Sequence, residues 1–264
     1  MENIRALVKT ELEQVKYIIK NSYEGLETSD LKEFLQSDSK YVRSLLGILY
    51  LKVHNIDINS DIIKLLSVAE LIHNASLLHD DVIDESNIRR GQNTIFNKSG
   101  AKLSILYGDY LLSLAVEKLL QLNNKEILNI FLNATKDMSS AEILQFKMRA
   151  KDITFQDYIN IVSGKTASLF SAVLVSLAIL LGLDTLKAEQ FGKVFGIVFQ
   201  INNDTSQASI ENDKKNGVRT INNILTVEKV SALKDNYIEE MKKIIFNFPE
   251  SEYKKGLEDL IELL

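Results

Sequence analysis

Apolar residues recur every three or four positions along most of this 264-residue chain, which is the spacing of amphipathic α-helices. Ser39 is predicted to cap the second helix, and Asn59 or Ser60 to begin the third, because short polar side chains accept hydrogen bonds from the first N–H groups of a helix. The pattern predicts helices at about 2–22, 39–52, 61–84, 101–122, 124–150, 154–164, 166–182, 185–207, 222–247 and 251–263. The expected fold class is therefore all-α.

Few residues interrupt these helices, because the whole chain has only one proline and eleven glycines. Folds built from many strands need more turns, and hence more of both residue types. The helix at 61–84 is apolar on most sides, which predicts a position at the centre of a helical bundle. No repeat or flexible linker divides the sequence, so we expect one domain over 1–264.

The composition argues against several functional classes. Acidic and basic residues are interspersed and give a net charge of −5, which disfavours a nucleic-acid-binding surface. Cysteine is absent and residues 1–14 carry charge throughout, so we expect a cytoplasmic protein. The uncharged stretch 166–183 reaches the lower limit for a membrane span, but its serines and its lack of flanking aromatic or basic belts favour a core helix. We therefore expect no transmembrane segment.

Four acidic residues lie within six positions at the end of the most apolar helix, and they are Asp80, Asp81, Asp84 and Glu85. Their charges repel one another and the negative end of the helix dipole, so a cation is needed to stabilise them. Asp80 and Asp84 share one helical face, whereas Asp81 points partly aside. Oxygen ligands of this kind suit Mg²⁺, which commonly bridges protein carboxylates to a substrate phosphate. The cluster therefore predicts a diphosphate bound through magnesium.

A pair of arginines follows the acids, in the segment Arg89-Arg90-Gly91. The planar guanidinium group matches the oxygens of a phosphate in a bidentate way. An acidic cluster at a helix end followed by an arginine pair therefore predicts metal ions on one side of a diphosphate and arginine on the other.

These residues and several others resemble the motifs of a known protein family. Residues 68–91, VAELIHNASLLHDDVIDESNIRRG, resemble the first aspartate-rich region of the trans-isoprenyl diphosphate synthases, in particular the long-chain, octaprenyl diphosphate synthase-like type. Residues 39–43, SKYVR, resemble the Gly-Lys-x-x-Arg-Pro element of that family. Residues 164–170, GKTASLF, resemble its Lys-Thr segment, and Phe199-Gln200 matches the Phe-Gln pair before its second aspartate motif.

The resemblance implies a role for each matching residue. The diphosphate of isopentenyl diphosphate would be held by Lys40, Arg43 and His73. The remaining substrate contacts would come from Arg89, Arg90, Lys165, Thr166 and Gln200. The residues expected to serve the chemistry are Asp80, Asp81, Asp84, Lys165 and Arg89. The expected ligands of Mg²⁺ are Asp80, Asp84, Asn203 and Asp204.

The second aspartate motif departs from the family pattern. The family reads Gln-x-x-Asp-Asp-x-x-Asp, whereas Gln200 is followed here by Asn203, Asp204 and Gln207 at the three acidic positions. A neutral amide oxygen binds a hard dication more weakly than a carboxylate does. The stretch that follows is shortened, and Val218 stands where the family has a lysine.

The resemblance also implies a fold and an activity. The fold would be a single-domain antiparallel helical bundle with a central cavity, assembled as a homodimer. The protein would condense isopentenyl diphosphate with an allylic prenyl diphosphate, in an Mg²⁺-dependent reaction. Ala75 and Ser76, just before the aspartates, are small where short-chain enzymes place an aromatic residue, which implies a long polyprenyl product of the kind used for quinone side chains. Release of such a product implies peripheral membrane contact.

The sequence is also compatible with two other functions. The amides Asn203 and Gln207 are compatible with a weak or inactive subunit that works with an active partner synthase. Asn203, Gln207 and Glu211 also recur at every fourth position, as in the metal triad of class I terpene cyclases, if one helix runs through all three. Lys40, Arg43 and His73 argue against the cyclase, because a cyclase has no second diphosphate substrate.

Overall fold

The computed structural model of the chain describes residues 1–23, 26, 28–37, 39–89 and 91–264. It confirms the all-α class, since the described residues outside the loops are almost entirely helical. The α-helices are α1 (Glu2–Leu7), α2 (Lys9–Lys20), α3 (Ser29–Gln36), α4 (Val42–Lys52), α5 (Ser60–Ile83), α6 (Ile95–Gln121), α7 (Lys125–Lys147), α8 (Phe155–Val162), α9 (Ser168–Leu181), α10 (Thr185–Asp204), α11 (Gln207–Lys215), α12 (Val227–Ile245) and α13 (Glu252–Glu262). A two-stranded antiparallel hairpin, β1 (Ile88–Arg89) and β2 (Gln92–Asn93), joins α5 to α6.

The chain forms two compact units. The first unit comprises Val8–Ile48 and Asp57–Leu128, and the second comprises Met1–Leu7, Leu49–Ile56 and Asn129–Leu264. The expectation of one domain and of a central cavity stays a prediction.

The first unit is built around α5, which packs against α6 and α2. Burial of α5 on most of its surface confirms the central position that its apolar sequence predicts. Asn59 caps this helix through its side-chain oxygen, which accepts hydrogen bonds from the N–H groups of Asp61 and Ile62 at 3.1 and 3.0 Å. The other end of α5, where the acidic cluster lies, is fixed by α6. Ser104 donates to the Leu78 carbonyl at 2.8 Å, and Gly108 lies directly under the His79 ring.

The second unit is built around the pair α9 and α10. Two glycines of α10 allow a close approach. A Cβ atom at Gly192 would lie 2.6 Å from Ser171 Cα, and one at Gly196 would overlap Ala167 Cα. Because Gln200 follows Gly196 by one helical turn, this packing brings Gln200 beside Thr166.

A π-helical segment, Ser163–Ala167, connects α8 to α9 and carries Lys165 and Thr166. The sequence predicts two separate helices here, and the structure shows one continuous helical rod with a wider turn. Such single π-turns recur at functional sites, because they change the direction of side chains without ending the helix.

Several predicted boundaries differ from the structure. The segment 2–22 forms two helices, α1 and α2, which meet at Val8. Helix α4 begins at Val42 and not after Ser39, because Tyr41 has a φ angle of +48°, outside the helical region. Helix α6 begins earlier than predicted, where Thr94 caps it by accepting from the Asn97 N–H at 3.1 Å. Gly100 has a non-helical φ angle of +83° that kinks α6, so the part after the kink matches the helix predicted at 101–122. Helices α3 and α11 are short and polar, and the apolar pattern did not predict them.

One helical stretch, Phe155–Leu181, is long and apolar enough to cross a membrane, but 61% of its most apolar window is buried inside the fold. Residues 169–174 of α9 are all buried, which confirms the predicted core helix.

Candidate active site

The first aspartate-rich region lies at the end of α5 in the first unit. Asp80 and Asp84 are partly exposed, and the Asp84 N–H donates to the Asp80 carbonyl at 2.8 Å in the final turn of the helix. One regular turn therefore separates the two residues, and their carboxylates share a face, as the spacing predicts.

Asp81 has a different environment from its two neighbours. It is 1% exposed, and its carboxylate accepts a hydrogen bond from Arg89 Nε at 2.8 Å. Burial raises the pKa of Asp81, and the Arg89 guanidinium opposes that rise. Asp81 is thus an acceptor that orients Arg89, while Asp80 and Asp84 face outward. Arg90, the second predicted arginine, lies outside the described residues.

The hairpin β1–β2 holds Arg89 in place. Arg89 pairs with Gln92 across the hairpin, and the Ser86 N–H donates to the Asp81 carbonyl at 2.9 Å. Thr94 closes the loop by donating from its hydroxyl to the Ser86 carbonyl at 2.6 Å. The described residues of the polar segment after the helix therefore form a hydrogen-bonded loop that returns Arg89 to Asp81.

The element predicted to bind isopentenyl diphosphate lies where α4 begins. Lys40 is exposed, whereas Arg43 is only 6% exposed. Burial lowers the pKa of Arg43 to about 10, and the negative charge of Glu70 opposes the shift. Arg43 is accordingly a buried cation beside a buried acid, and Lys40 is the more accessible of the two.

Glu70 is a residue that the sequence did not single out. Its side chain is 1% exposed and accepts hydrogen bonds from Ser44 N at 3.1 Å and Ser44 Oγ at 2.8 Å. A carboxylate from α5 therefore caps α4, in the place of the predicted Ser39 cap. His73, the third predicted contact, is one turn further along α5 and partly exposed. The sequence signal that could have identified Glu70 is an acidic residue in the middle of a mainly apolar helix.

The two predicted chain-length residues lie on α5 as well. Ala75 is fully buried, and Ser76 is partly exposed and donates to the His73 carbonyl at 2.8 Å. Ser76 is one helical turn before Asp80, so any groove that begins at the aspartates passes this position first.

Lys165 and Thr166 lie in the π-helical segment of the second unit. The Lys165 ammonium donates to Gln145 Oε1 at 2.9 Å and forms an ion pair with Glu142. Both partners come from α7, and neither is a residue that the sequence predicts for the site. Their spacing of three residues on one helix is the signal that could have found them.

A chain of hydrogen bonds links Thr166 to the second aspartate region. Thr166 Oγ1 donates to Gln200 Oε1 at 2.8 Å, and Gln200 Nε2 donates to Asp204 Oδ1 at 2.7 Å. Tyr158 donates from its hydroxyl to Asp204 Oδ2 at 2.7 Å. Burial raises the pKa of Asp204 to about 7, although the hydrogen bonds from Tyr158 and Gln200 lower it. Burial also raises the pKa of Tyr158, and the Asp204 charge adds to that rise.

The other residues of the second region differ in kind. Asn203 is partly exposed, and Gln207 is exposed and donates to Glu211 Oε1 at 3.0 Å. Helix α10 ends at Asp204 and α11 begins at Gln207, so one helix does not run through Asn203, Gln207 and Glu211. The terpene cyclase triad requires all three residues on one helix. The break between α10 and α11 therefore removes the support for that alternative.

The two aspartate regions differ in their donor chemistry, and hence in their fit to Mg²⁺. Among the described residues, no three acidic or histidine side chains converge closely enough to hold a metal ion alone. Two carboxylates, such as Asp80 and Asp84, match the usual Mg²⁺ site, in which substrate phosphate and water complete the shell. The second region offers neutral amides and one buried carboxylate that already accepts two hydrogen bonds, so it does not fit.

The chain is similar to a known protein family over most of its length. The family model described as Polyprenyl synthetase matches residues 28–262. Solanesyl-diphosphate synthase 2, chloroplastic, of Oryza sativa subsp. japonica is 34% identical over 206 residues, which are 75% of this chain and 51% of that protein. Octaprenyl diphosphate synthase of Escherichia coli (strain K12) is 30% identical over 169 residues, which are 62% of this chain and 52% of that protein. The chain thus spans about half the length of these curated relatives.

Solved structures show the same fold. Heptaprenyl diphosphate synthase from Staphylococcus aureus superposes with a TM-score of 0.87 at 22% identity and covers 96% of each chain. A decaprenyl diphosphate synthase from Rhodobacter capsulatus superposes with a TM-score of 0.85 at 21% identity, over 99% of this chain and 97% of that one. The fold is the helical bundle of the isoprenoid synthases, and the chain belongs to the polyprenyl synthetase family.

Proposed function

We propose that this protein is an Mg²⁺-dependent prenyltransferase, which condenses isopentenyl diphosphate with an allylic prenyl diphosphate to make a long-chain polyprenyl diphosphate. The observation that carries the proposal is the pair Asp80 and Asp84 on one face of α5, with Arg89 bound to the buried Asp81 of the same helix end. Family membership and the long-chain relatives support the same reading.

The metal chemistry is assigned to the first region. Asp80 and Asp84 would hold Mg²⁺, which when bound neutralises the allylic diphosphate and makes it a better leaving group. The proposal does not extend this role to Asn203 and Asp204, whose surroundings differ.

The protein's own residues have three tasks in this reaction. Arg89, which Asp81 holds at the end of α5, would donate hydrogen bonds to phosphate oxygens as negative charge develops on the leaving group. Lys165 supplies a second cation, held by Gln145 and Glu142. Lys40, Arg43 and His73 would bind the diphosphate of the other substrate. Since no side chain acts as a nucleophile, positioning and charge stabilisation account for the rate.

Long products are proposed on the size of Ala75 and Ser76. Neither side chain is large enough to block a growing prenyl chain, and the long-chain relatives, solanesyl and octaprenyl diphosphate synthases, support this length class. Quinone side chains are the proposed destination. As part of the proposal, the enzyme is cytoplasmic and touches a membrane surface only to release its product.

A homodimer is proposed on one exposed face of α6. Large apolar side chains are exposed there, and they are Leu103, Leu106 and Leu120. Water contact of these side chains is unfavourable, and a second copy of the same face would remove it.

The test is incubation of the purified chain with Mg²⁺, labelled isopentenyl diphosphate and farnesyl diphosphate, followed by chain-length analysis. We expect long polyprenyl products that disappear in Asp80→Asn, a variant of nearly the same shape whose fold is checked by its melting temperature. Products that persist in this variant would contradict the assignment of the metal site.

The amides of the second region favour one other candidate, a subunit that is active only with a partner synthase. In that case the purified chain would bind diphosphate and magnesium without elongating the substrate. Activity that appears only on mixing with a second synthase would identify it.

A further inference from the structure

Both oxygens of the Asp204 carboxylate are occupied. Tyr158 donates to Oδ2 and Gln200 donates to Oδ1, each at 2.7 Å, and the side chain is only 5% exposed. Mg²⁺ binds with several of its water molecules still attached. A hydrated ion of that size needs a carboxylate that water can reach. Asp80 and Asp84 are partly exposed, whereas Asp204 is enclosed.

The neighbours of Asp204 do not supply a carboxylate that could bind a metal ion in its place. Asn203 and Gln207 are neutral, and the end of α10 at Asp204 breaks the regular spacing between them. The Gln207 amide is engaged with Glu211. The shortened stretch that follows also contacts the end of α10, because Asn222 Nδ2 donates a hydrogen bond to the backbone carbonyl of Asp204 at 2.7 Å. The region is therefore organised around hydrogen bonds within the protein.

The contacts of Asp204 fix the orientation of the Gln200 amide. Since Gln200 Nε2 donates to Asp204, its Oε1 must point the other way, where it accepts from the Thr166 hydroxyl. Thr166 is half of the Lys165–Thr166 pair in the π-helical segment, and Tyr158 lies one π-turn earlier on α8. Asp204 thus links α10 directly to Tyr158, on the helix that precedes the π-helical segment, and through Gln200 to Thr166 within that segment.

We propose that the second aspartate region of this chain holds no metal ion, and that Asp204 is a positioning residue which fixes Lys165 and Thr166 for the allylic diphosphate. This inference deepens the proposed function and rests on it for the identity of the ligand. The carboxylate acts through Gln200 and Tyr158 and does not touch the substrate.

The first experiment counts metal ions and is independent of catalysis. Mn²⁺ is titrated into the full chain in the presence of farnesyl thiolodiphosphate, an unreactive analogue, and bound Mn²⁺ is measured by electron paramagnetic resonance. We expect Asp204→Asn and the wild type to bind the same number of ions, and Asp80→Asn to bind fewer. Loss of an ion in Asp204→Asn would overturn the proposal.

The second experiment measures positioning. Calorimetric Kd values for the same analogue are expected to rise about tenfold in Asp204→Asn, because a charge-assisted hydrogen bond is worth about that factor or more. Tyr158→Phe, which leaves every carboxylate in place, is expected to raise the Kd by a smaller factor at an unchanged Mn²⁺ count. It serves as the second variant if Asp204→Asn does not fold.

A double-mutant cycle with Lys165→Ala separates positioning from a general loss of stability. If Asp204 acts through the Lys165–Thr166 pair, Asp204→Asn should change the Kd by less than about threefold once Lys165 is absent. An undiminished tenfold effect in the Lys165→Ala background would show that Asp204 does not act through this pair. Because all three measurements use an unreactive analogue, a chain without prenyltransferase activity would refute the proposed function and leave this inference to be decided by binding.

Discussion

The ends of α5 and α10 carry equivalent positions and have different chemistry. Asp80, Asp81 and Asp84 correspond in spacing to Asn203, Asp204 and Gln207. In both helices the middle residue is a buried acid that accepts hydrogen bonds, from Arg89 in one case and from Tyr158 and Gln200 in the other. The outer positions are carboxylates at the first site and amides at the second.

This difference teaches that spacing and burial do not define a metal site alone. The middle acid is turned inward in both regions, because its helical position differs by about 100° from that of its neighbour. Only the outer pair can meet a hydrated cation. Amides at the two outer positions of the second region remove the negative charge that would attract a cation. The buried acid between them then serves only to accept hydrogen bonds within the protein.

The largest expected effect comes from the outer pair of the first region. Asp80→Ala and Asp84→Ala should each reduce kcat/KM for farnesyl diphosphate by about 10³-fold, if each removes a charge contact worth about 3 to 4 kcal/mol in the transition state. Asn203→Ala, the matched control at the second region, should change kcat/KM by less than about fivefold. Equal losses in the three variants would erase the distinction between the regions.

The next effect tests how the second region is assembled. Gly196→Ala should lower the free energy of unfolding by about 2 to 3 kcal/mol, because the new methyl group meets the backbone of Ala167. Gly108→Ala in the first region is the comparison, since its methyl group meets the His79 side chain, which can move. Chemical denaturation measures both. A larger loss in Gly108→Ala would contradict this ranking of backbone over side-chain overlap.

Removal of the donor to Asp81 should have an intermediate effect on stability. Arg89→Met leaves a buried carboxylate without its guanidinium partner and should cost about 1 to 2 kcal/mol of unfolding free energy. Arg89→Lys keeps the charge and should recover part of the loss. Unchanged denaturation midpoints in Arg89→Met would show that the hairpin contact contributes nothing to folding.

The smallest expected effect is at the corresponding contact of the second region. Tyr158→Phe removes one of two donors to Asp204 and should cost about 1 kcal/mol, because Gln200 remains in place. Thermal melting of this variant beside Arg89→Met compares the two buried acids directly. A cost well above that of Arg89→Met would mean that the second region depends on its carboxylate more than the first.

Much of the fold followed from local patterns. The apolar spacing predicts α5, α9 and α10 closely, because each buries a continuous face or most of its surface. Short polar helices such as α3 and α11 were missed, since their residues carry no strong apolar period. The break after Asp204 was missed for a related reason. Thr205 donates a hydrogen bond from its hydroxyl to the Asn202 carbonyl at 3.0 Å, and the spacing of apolar residues does not predict such a local contact.

The sequence by itself determined the helical class, the shared face of Asp80 and Asp84, and the loss of acids at Asn203 and Gln207, because these depend only on residue type and helical spacing. Tertiary structure decided the rest. Glu70 caps a helix 26 residues before it, Tyr158 reaches an acid 46 residues after it, and Gly196 lets α10 approach Ala167 closely enough for Gln200 to meet Thr166. Such contacts depend on where whole helices pack, and no local pattern in the sequence encodes that placement.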